Sequence, residues 1–287
     1  MALFAPLLAA LAMQSAPVAK KDFIISVSVV PGGYLVDMDK DLEQISKIAN
    51  TMFLPGGAYK SFQTSKLKPL LDAAQKKGLK VVLLYYHPEG GNTTIDSFAK
   101  DYGNHPAVIG FKVQDELGSR GDSVEFFINH LKTMRKAIRK YTDKPIMVDV
   151  IPFQFWNDSE ANRKKWPAAT NAAIDRYIDE GLIDWLIVSM GRNVETVMPK
   201  VAKRWGKKIP IMVRTSAGYK GDDYSKSSFT EAQMATAVPY SRIAYENGAI
   251  GITYYAWQHG PYKIMDPGLK PNKAFNDMVK NFQWFQK

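Results

Sequence analysis

From residue 21 onward the chain alternates two hydrophobic patterns: short β-branched runs, and stretches whose apolar positions recur three and four residues apart. The first pattern predicts strands over residues 23–30, 51–54, 79–86, 107–114, 145–151, 183–190, 210–215 and 249–257. The second predicts helices over 39–50, 65–77, 94–102, 123–141, the second half of 161–180, 194–205, 230–247 and 272–285. Leu42, Ile45, Ile48 and Ala49 share one helical face, as do Val124, Phe127, Leu131, Met134 and Ile138. Gly78, Gly181 and Gly248 stand where helices should stop, and Pro31-Gly32-Gly33, Pro55-Gly56-Gly57 and Pro88 close strands.

Strands that each precede a helix, about thirty residues apart, imply a parallel sheet with right-handed crossovers. Eight such units close into a barrel, so the predicted fold class is α/β: a (β/α)8 TIM barrel of eight parallel strands with outer helices. The length of 287 residues agrees, since such barrels run to about 250. A doubly wound open sheet is the alternative, but Pro31-Gly32-Gly33 is not the Gly-rich first turn it would need. With no linker, low-complexity tract or repeat, residues 21–287 read as a single barrel domain.

Residues 1–20 are a separate apolar segment, Ala/Leu-rich and too short to span a bilayer comfortably. It resembles the apolar region of a signal peptide, although no Lys or Arg precedes it and its cleavage site is poor. The other reading is a strap across the barrel bottom, or a peptide that docks on a protein partner.

Side chains of a barrel strand alternate between the helix layer and the interior. Placing the β-branched set outward directs Ile109, Phe111 and Val113 to the helices, and Gly110, Lys112, Gln114 and Glu116 inward. Asp115 then faces the helix side, as a positioning or capping residue. The same phasing puts Ser26, Ser28, Met147, Asp149, Met212 and Arg214 inside. In the eighth strand Ile250, Ile252 and Tyr254 face outward, and Gly251, Thr253, Tyr255 and Trp257 inward. Lys112, Gln114, Glu116, Asp149 and Arg214 make a polar interior. Isolated buried charges are costly, so pairs are expected: Lys112 with Asp149, and Arg214 with Glu116. As a pure stabilising device such a network is usually no better than apolar packing. An open-topped polar site is therefore the preferred reading.

Charge changes this picture little. The net charge of +10 is spread as Lys-Lys, Arg-Lys-Lys and Lys-Arg groups, with no basic stripe or nucleic-acid module, so no nucleic-acid partner is expected. An acidic polymer as partner or substrate stays open. The absence of cysteine excludes disulfides, thiolate nucleophiles and Cys-ligated zinc. His87 and His259 lack a metal-binding spacing, so neither metal nor cofactor is expected.

The stretch His105-Pro106, Val108-Ile109-Gly110, Phe111 and Glu116 resembles the fourth strand of clan A glycoside hydrolases, the retaining barrels that include cellulases, β-galactosidases and β-mannanases. Asp115 replaces the Asn that precedes the general acid/base in that pattern. The last strand, Gly251-Ile252-Thr253-Tyr254-Tyr255-Ala256-Trp257, is similar to the final strand of such enzymes and of chitinases, where a Trp floors a sugar subsite. The resemblance implies a poly- or oligosaccharide substrate, Glu116 as general acid, and Trp257 as a stacking platform. It also departs: the family's nucleophile is a Glu at the end of the seventh strand, and here that segment carries no carboxylate, with Arg214 at the inward position.

Retaining or inverting hydrolysis needs two carboxyls, and Asp149 is the other inward acid. Asp149 as nucleophile or base, a nucleophile supplied by the substrate, and a barrel that only binds glycans all remain open. Candidate substrate-binding residues are Trp257, Tyr255, Arg214, Gln114, Asp115, Tyr86 and Trp156. Further aromatic residues follow the strands: Tyr85, Phe153, Phe155, Tyr219 and Tyr224. The competing functions are a non-catalytic glycan-binding or structural barrel in a secreted complex or virus particle, and a carbon–carbon lyase using Lys112 as Schiff base. For the hydrolase, an extracellular location is expected.

Overall fold

The computed structural model describes residues 18–29, 35, 37–55, 67–85, 94–117, 124–151, 169–190, 194–216, 237–255, 257, 264–266 and 268–287; of these, 114–117, 169–171, 216, 237–238 and 266 are described by their backbone only. The apolar segment 1–17 lies outside the described residues. Eight strands, β1 (Ile24–Ser28), β2 (Thr51–Pro55), β3 (Lys80–Leu84), β4 (Val108–Leu117), β5 (Ile146–Val150), β6 (Trp185–Ser189), β7 (Ile211–Ser216) and β8 (Gly251–Tyr255), form a closed barrel in sequence order. Every neighbouring pair is parallel, and β8 pairs with β1 to close the ring, Ile24 opposite Gly251 and Ser28 opposite Tyr255. This is the expected (β/α)8 barrel.

The described helices are α1 (Met38–Ser46), α2 (Leu67–Lys76), α3 (Ile95–Tyr102), α4 (Val124–Ile138), α5 (Ala169–Asp179), α6 (Val194–Trp205), α7 (Ala237–Glu246) and α8 (Lys273–Phe285). Two short antiparallel strands, β9 (Met265–Asp266) and β10 (Lys270–Pro271), precede α8. Caps start several helices: Asp37 accepts from the amide of Lys40, Thr94 from Ser97 and Asn272 from Phe275. Gly78, Gly181 and Gly248, the predicted stops, lie at φ of +72°, +63° and +80°, the left-handed turn with which helices commonly end. No described helix is long and apolar enough to cross a membrane.

Two apolar clusters follow from strand alternation. The larger lies between barrel and helices and takes Ile25, Val27, Met52, Leu54, Val81, Leu83, Val148, Leu186, Val213 and Ile252 from the strands. The smaller, Phe53, Val82, Leu84, Met147, Ile187 and Met212, comes from β2, β3, β5, β6 and β7 and fills the barrel interior, with Ile24, Ile109, Trp185 and Ile250 packed against it. Each fully buried large aliphatic side chain contributes roughly 1.5–3 kcal/mol, so this lower plug is substantial. Two glycines permit the closure. A Cβ on Gly251 would sit 2.5 Å from the Cβ of Ile24 across the β1–β8 seam, and one on Gly110 would sit 2.8 Å from the carbonyl oxygen of Pro145. Beside the plug Asp184 braces β5, β6 and α4: it accepts from Arg135 (3.2 Å), Arg139 (2.5 Å) and the amide of Ile146 (2.8 Å).

Two outward assignments are corrected. Ile109 packs with the interior cluster while Val108 joins the outer one, because the β3–β4 register shifts between Val81 and Val82, whose partners are Val108 and Gly110. Such a bulge inserts a residue and inverts the alternation below it. Ile250 also packs against the interior cluster, since it precedes the first residue of β8 and the strand's alternation does not extend to it.

Candidate functional site

Above the apolar plug the interior turns polar. Asp149 of β5 is fully buried. Its Oδ2 accepts from Lys112 Nζ at 2.9 Å and from Arg214 Nη1 at 2.5 Å, and its Oδ1 accepts from Ser189 Oγ at 2.8 Å. A carboxylate without water is tolerable only when charges and hydrogen bonds replace its hydration, which these three donors do. The Lys112–Asp149 pair is the one expected. Arg214 is also held by Asp149, with its guanidinium carbon 5.2 Å from the centre of the Tyr255 ring; the Glu116 side chain, expected as its partner, is outside the described side chains.

The ladder explains how four strands deliver these groups to one place. Ser189 is opposite Arg214, Arg214 opposite Thr253, and Thr253 opposite Ser26, so a polar row crosses β6, β7, β8 and β1. Asp149 reaches that row from β5. Ser28 and Thr253 hydroxyls lie 3.3 Å apart, and the Ser26 hydroxyl donates to the carbonyl of Ile252 at 3.1 Å. Sequence phasing placed Ser26, Ser28, Asp149 and Arg214 in this interior, but missed Ser189. The signal was present: Leu186 and Val188 belong to the outer cluster, which turns Ser189 inward.

β4 is longer than predicted, reaching Leu117, so Gln114, Asp115 and Glu116 belong to the strand itself. Its register with β5 shifts twice: Lys112 is opposite Met147, Gln114 opposite Val148, and Leu117 opposite Val150. The Asp115–Glu116 backbone therefore stands level with Asp149 on the neighbouring strand. Strict two-residue alternation from Lys112 does not carry through these shifts, so the phase argument that separated Glu116 from Asp115 loses its basis.

Trp257 departs from expectation. It is fully buried in the outer cluster, edge-on to Phe275 of α8 at 6.5 Å, and its indole N–H donates to Asp41 at 2.6 Å. β8 ends at Tyr255, so the inward parity of Thr253 and Tyr255 does not extend to residue 257. Asp41, which sequence reasoning missed, is a fully buried carboxylate in the first turn of α1 that also accepts from the amide of Asp37. Tyr85, expected near the mouth, is buried against Phe98 in the helix layer, where burial pushes its phenol pKa up. Tyr86, His87, Phe153, Phe155, Trp156, Tyr219, Tyr224 and His259 lie outside the described residues. Among the described residues no group of three or more His, Asp or Glu side chains is placed to hold a metal ion.

The site thus lies at the C-terminal end of a parallel barrel, where such folds assemble their chemistry. It offers a fixed guanidinium, a buried ammonium, hydroxyls of Ser28, Ser189 and Thr253, and the ring of Tyr255. Among the described side chains at the upper ends of the strands, Asp149 is the only carboxylate, and it is sealed from solvent.

No protein-family model and no curated protein sequence matches the chain. Solved structures do. A glucosidase from Croceicoccus marinus superimposes with a TM-score of 0.67 at 9% identity, over 94% of this chain and 69% of that one. The GH53 catalytic domain from Ignisphaera aggregans gives 0.62 at 13% identity, over 91% and 96%. A GH113 β-1,4-mannanase gives 0.61 at 12% identity, over 92% and 98%. At these identities the likeness concerns the fold alone: the chain is a (β/α)8 barrel similar in structure to the glycoside hydrolase barrels of clan A.

Proposed function

We propose that this barrel hydrolyses a glycosidic bond in a poly- or oligosaccharide, with Glu116 as the general acid that protonates the leaving oxygen. The observation that carries the reading is the end of β4. Two adjacent acids stand on the strand's last residues, level with a polar cluster, at the barrel end where catalytic groups gather. Similarity in fold to glycosidase barrels supports the same reaction class. A polymeric glycan as substrate fits a secreted protein.

Asp149 takes a different part from the one its sequence position suggested. Both of its oxygens are occupied by donors and none of it reaches solvent, so it does not attack an anomeric carbon in this arrangement. It positions Arg214 and Lys112. Lys112 is correspondingly unsuited to Schiff-base chemistry, since it is buried and its ammonium is engaged by Asp149. The group opposite Glu116 is then either a neighbouring group of the substrate itself or an acid outside the described side chains.

One observation favours a second reading, a non-catalytic glycan-binding barrel: the sealed Asp149 beside Arg214 leaves no second carboxylate open to solvent among the described side chains at the upper strand ends. The two readings separate on release of reducing ends from a panel of galactan, mannan, xylan and cellulose oligosaccharides and their acidic counterparts. The hydrolase reading expects turnover by the natural chain, abolished by Glu116→Gln. Glycan binding with no turnover by either protein favours the second reading, and full activity in Glu116→Gln overturns the assignment of Glu116.

A further inference from the structure

The site lies at the C-terminal ends of the strands. The connections that run from each helix to the next strand lie at the opposite end of the barrel, and all of them belong to the described residues. Lysines far apart in sequence gather there. Lys21 precedes β1, Lys77 precedes β3 and Lys80 opens it, Lys144 precedes β5 and Lys207 precedes β7, so every second strand brings cations to this face. None of these lysines has a carboxylate partner among the described residues, and all but the half-buried Lys144 are exposed. Of the acids in the same connections, Asp184 is held by Arg135 and Arg139, and Glu180 by Lys132 and Arg176, which leaves Asp22 and Asp143.

Helix dipoles account for part of this charge, since cations favour helix C-termini. They do not account for Lys80 and Lys144, which stand at strand starts. Lys144 donates to the carbonyl of His105 at 2.6 Å, and burial together with the nearby Lys80 ammonium pushes its pKa down. Like charges held close oppose one another, and an anion beside them relieves the repulsion. Inside the ring of lysines the floor of the barrel is apolar: Ile24, Ile109, Trp185 and Ile250, packed beneath the interior cluster, remain partly exposed. The described chain begins on this face at Val18, and residues 1–17 before it are largely apolar and carry no acidic or basic side chain.

We infer that this face of the barrel docks on an anionic phospholipid bilayer, which leaves the site at the other end facing solution. Cations spread around a ring match a plane of phosphates, whereas a linear polyanion is followed by a stripe. Basic groups joined to apolar ones are the two-part combination that holds a protein stably at a membrane surface. Such docking needs no helix that crosses the bilayer.

The test is flotation of the full chain with vesicles of phosphatidylcholine alone, and of equimolar phosphatidylcholine and phosphatidylglycerol. Binding should be strong on the anionic vesicles, weak on the neutral ones, and reduced as salt is raised. A lysine near the surface contributes about fivefold, so Lys21→Gln, Lys80→Gln and Lys207→Gln together should weaken binding about a hundredfold. A matched triple in the first turns of α1, α2 and α8, Lys40→Gln, Lys68→Gln and Lys273→Gln, changes the net charge equally and should weaken it far less. Because the chain has no cysteine, a single polarity-sensitive dye reports orientation. On Asn104→Cys, in the connection before β4, its emission should shift to the blue on anionic vesicles; on Lys68→Cys it should not. Equal binding to both vesicle types, binding to neither, or equal losses from the two triples overturns the inference. So does a shift on Lys68→Cys without one on Asn104→Cys. Binding to soluble polyphosphate with none to anionic vesicles overturns it in favour of a polymeric partner.

Discussion

Replacing Asp149 with alanine removes an anion that Lys112 and Arg214 share, at a position with no solvent access. Three donors lose their common acceptor together: an ammonium at 2.9 Å, a guanidinium at 2.5 Å and the Ser189 hydroxyl at 2.8 Å. Removing one partner of a buried ion pair costs about 3–5 kcal/mol, because the remaining charge keeps its desolvation cost without its compensation. That is a large part of the roughly 5–15 kcal/mol that holds a typical domain together. In thermal terms it is on the order of 10 °C of melting temperature for a domain of this size. Ser189→Ala removes a single hydrogen bond to the same carboxylate and should cost less, about 1–3 kcal/mol. Urea denaturation of both variants at neutral pH measures the pair of values. A loss below about 1 kcal/mol for Asp149→Ala, or one no larger than that of Ser189→Ala, would refute the view that this carboxylate organises the barrel interior.

Other predictions test separate parts of the fold. Trp257→Phe should destabilise by about 1–3 kcal/mol, because buried Asp41 loses an indole donor, and calorimetric melting reads the loss; an unchanged melting temperature contradicts the role given to that bond. Tyr177 carries a buried hydroxyl with no hydrogen-bond partner among the described residues, so Tyr177→Phe should be neutral or stabilise by about 1 kcal/mol, whereas a loss of more than about 1 kcal/mol in denaturant would mean that the hydroxyl is satisfied in solution. At Asp175 of α5 burial pushes the carboxyl pKa up, but hydrogen bonds from Arg204 and Trp205 of α6 outweigh it and hold the value below normal. A depressed folded pKa contributes stability that is complete above the unfolded value of about 3.9 and is lost as pH falls through the folded one. Asp175→Asn should therefore flatten the fall in stability below about pH 4 in acid titrations, and an acid limb unchanged from that of the natural chain contradicts it.

The barrel was legible because alternating periods and glycine stops are local, and local patterns survive in a linear sequence. The buried Lys112–Asp149 pair was legible for the same reason, since one phase rule places both residues inside. What escaped depends on register between strands. Ile109 points with the interior because β4 bulges against β3, and the two further shifts against β5 undo any alternation argument for Asp115 and Glu116. Trp257 escaped because the point where a strand ends is set by the chain's departure into tertiary contacts, here the bond to Asp41 some 216 positions away in sequence. Arg214 pairs with Asp149, a partner chosen by distance across the barrel, which periodicity does not encode, while the side chain of Glu116, its expected partner, lies outside the described side chains. The resemblance on the fourth strand pointed to the right fold; its counterpart on the last strand named a tryptophan that the structure buries.

The most direct measurement of the central claim compares Glu116→Gln with the natural chain on two substrates of one sugar: a natural oligosaccharide, and an aryl glycoside whose leaving group needs no proton. A general acid matters where the leaving oxygen is a poor one and little where it is already stabilised. The account predicts a loss in kcat/KM of roughly 10²–10⁴-fold on the oligosaccharide and a far smaller loss on the aryl glycoside. Equal losses on both substrates, or none on either, would contradict the assignment of Glu116 as the acid of this barrel.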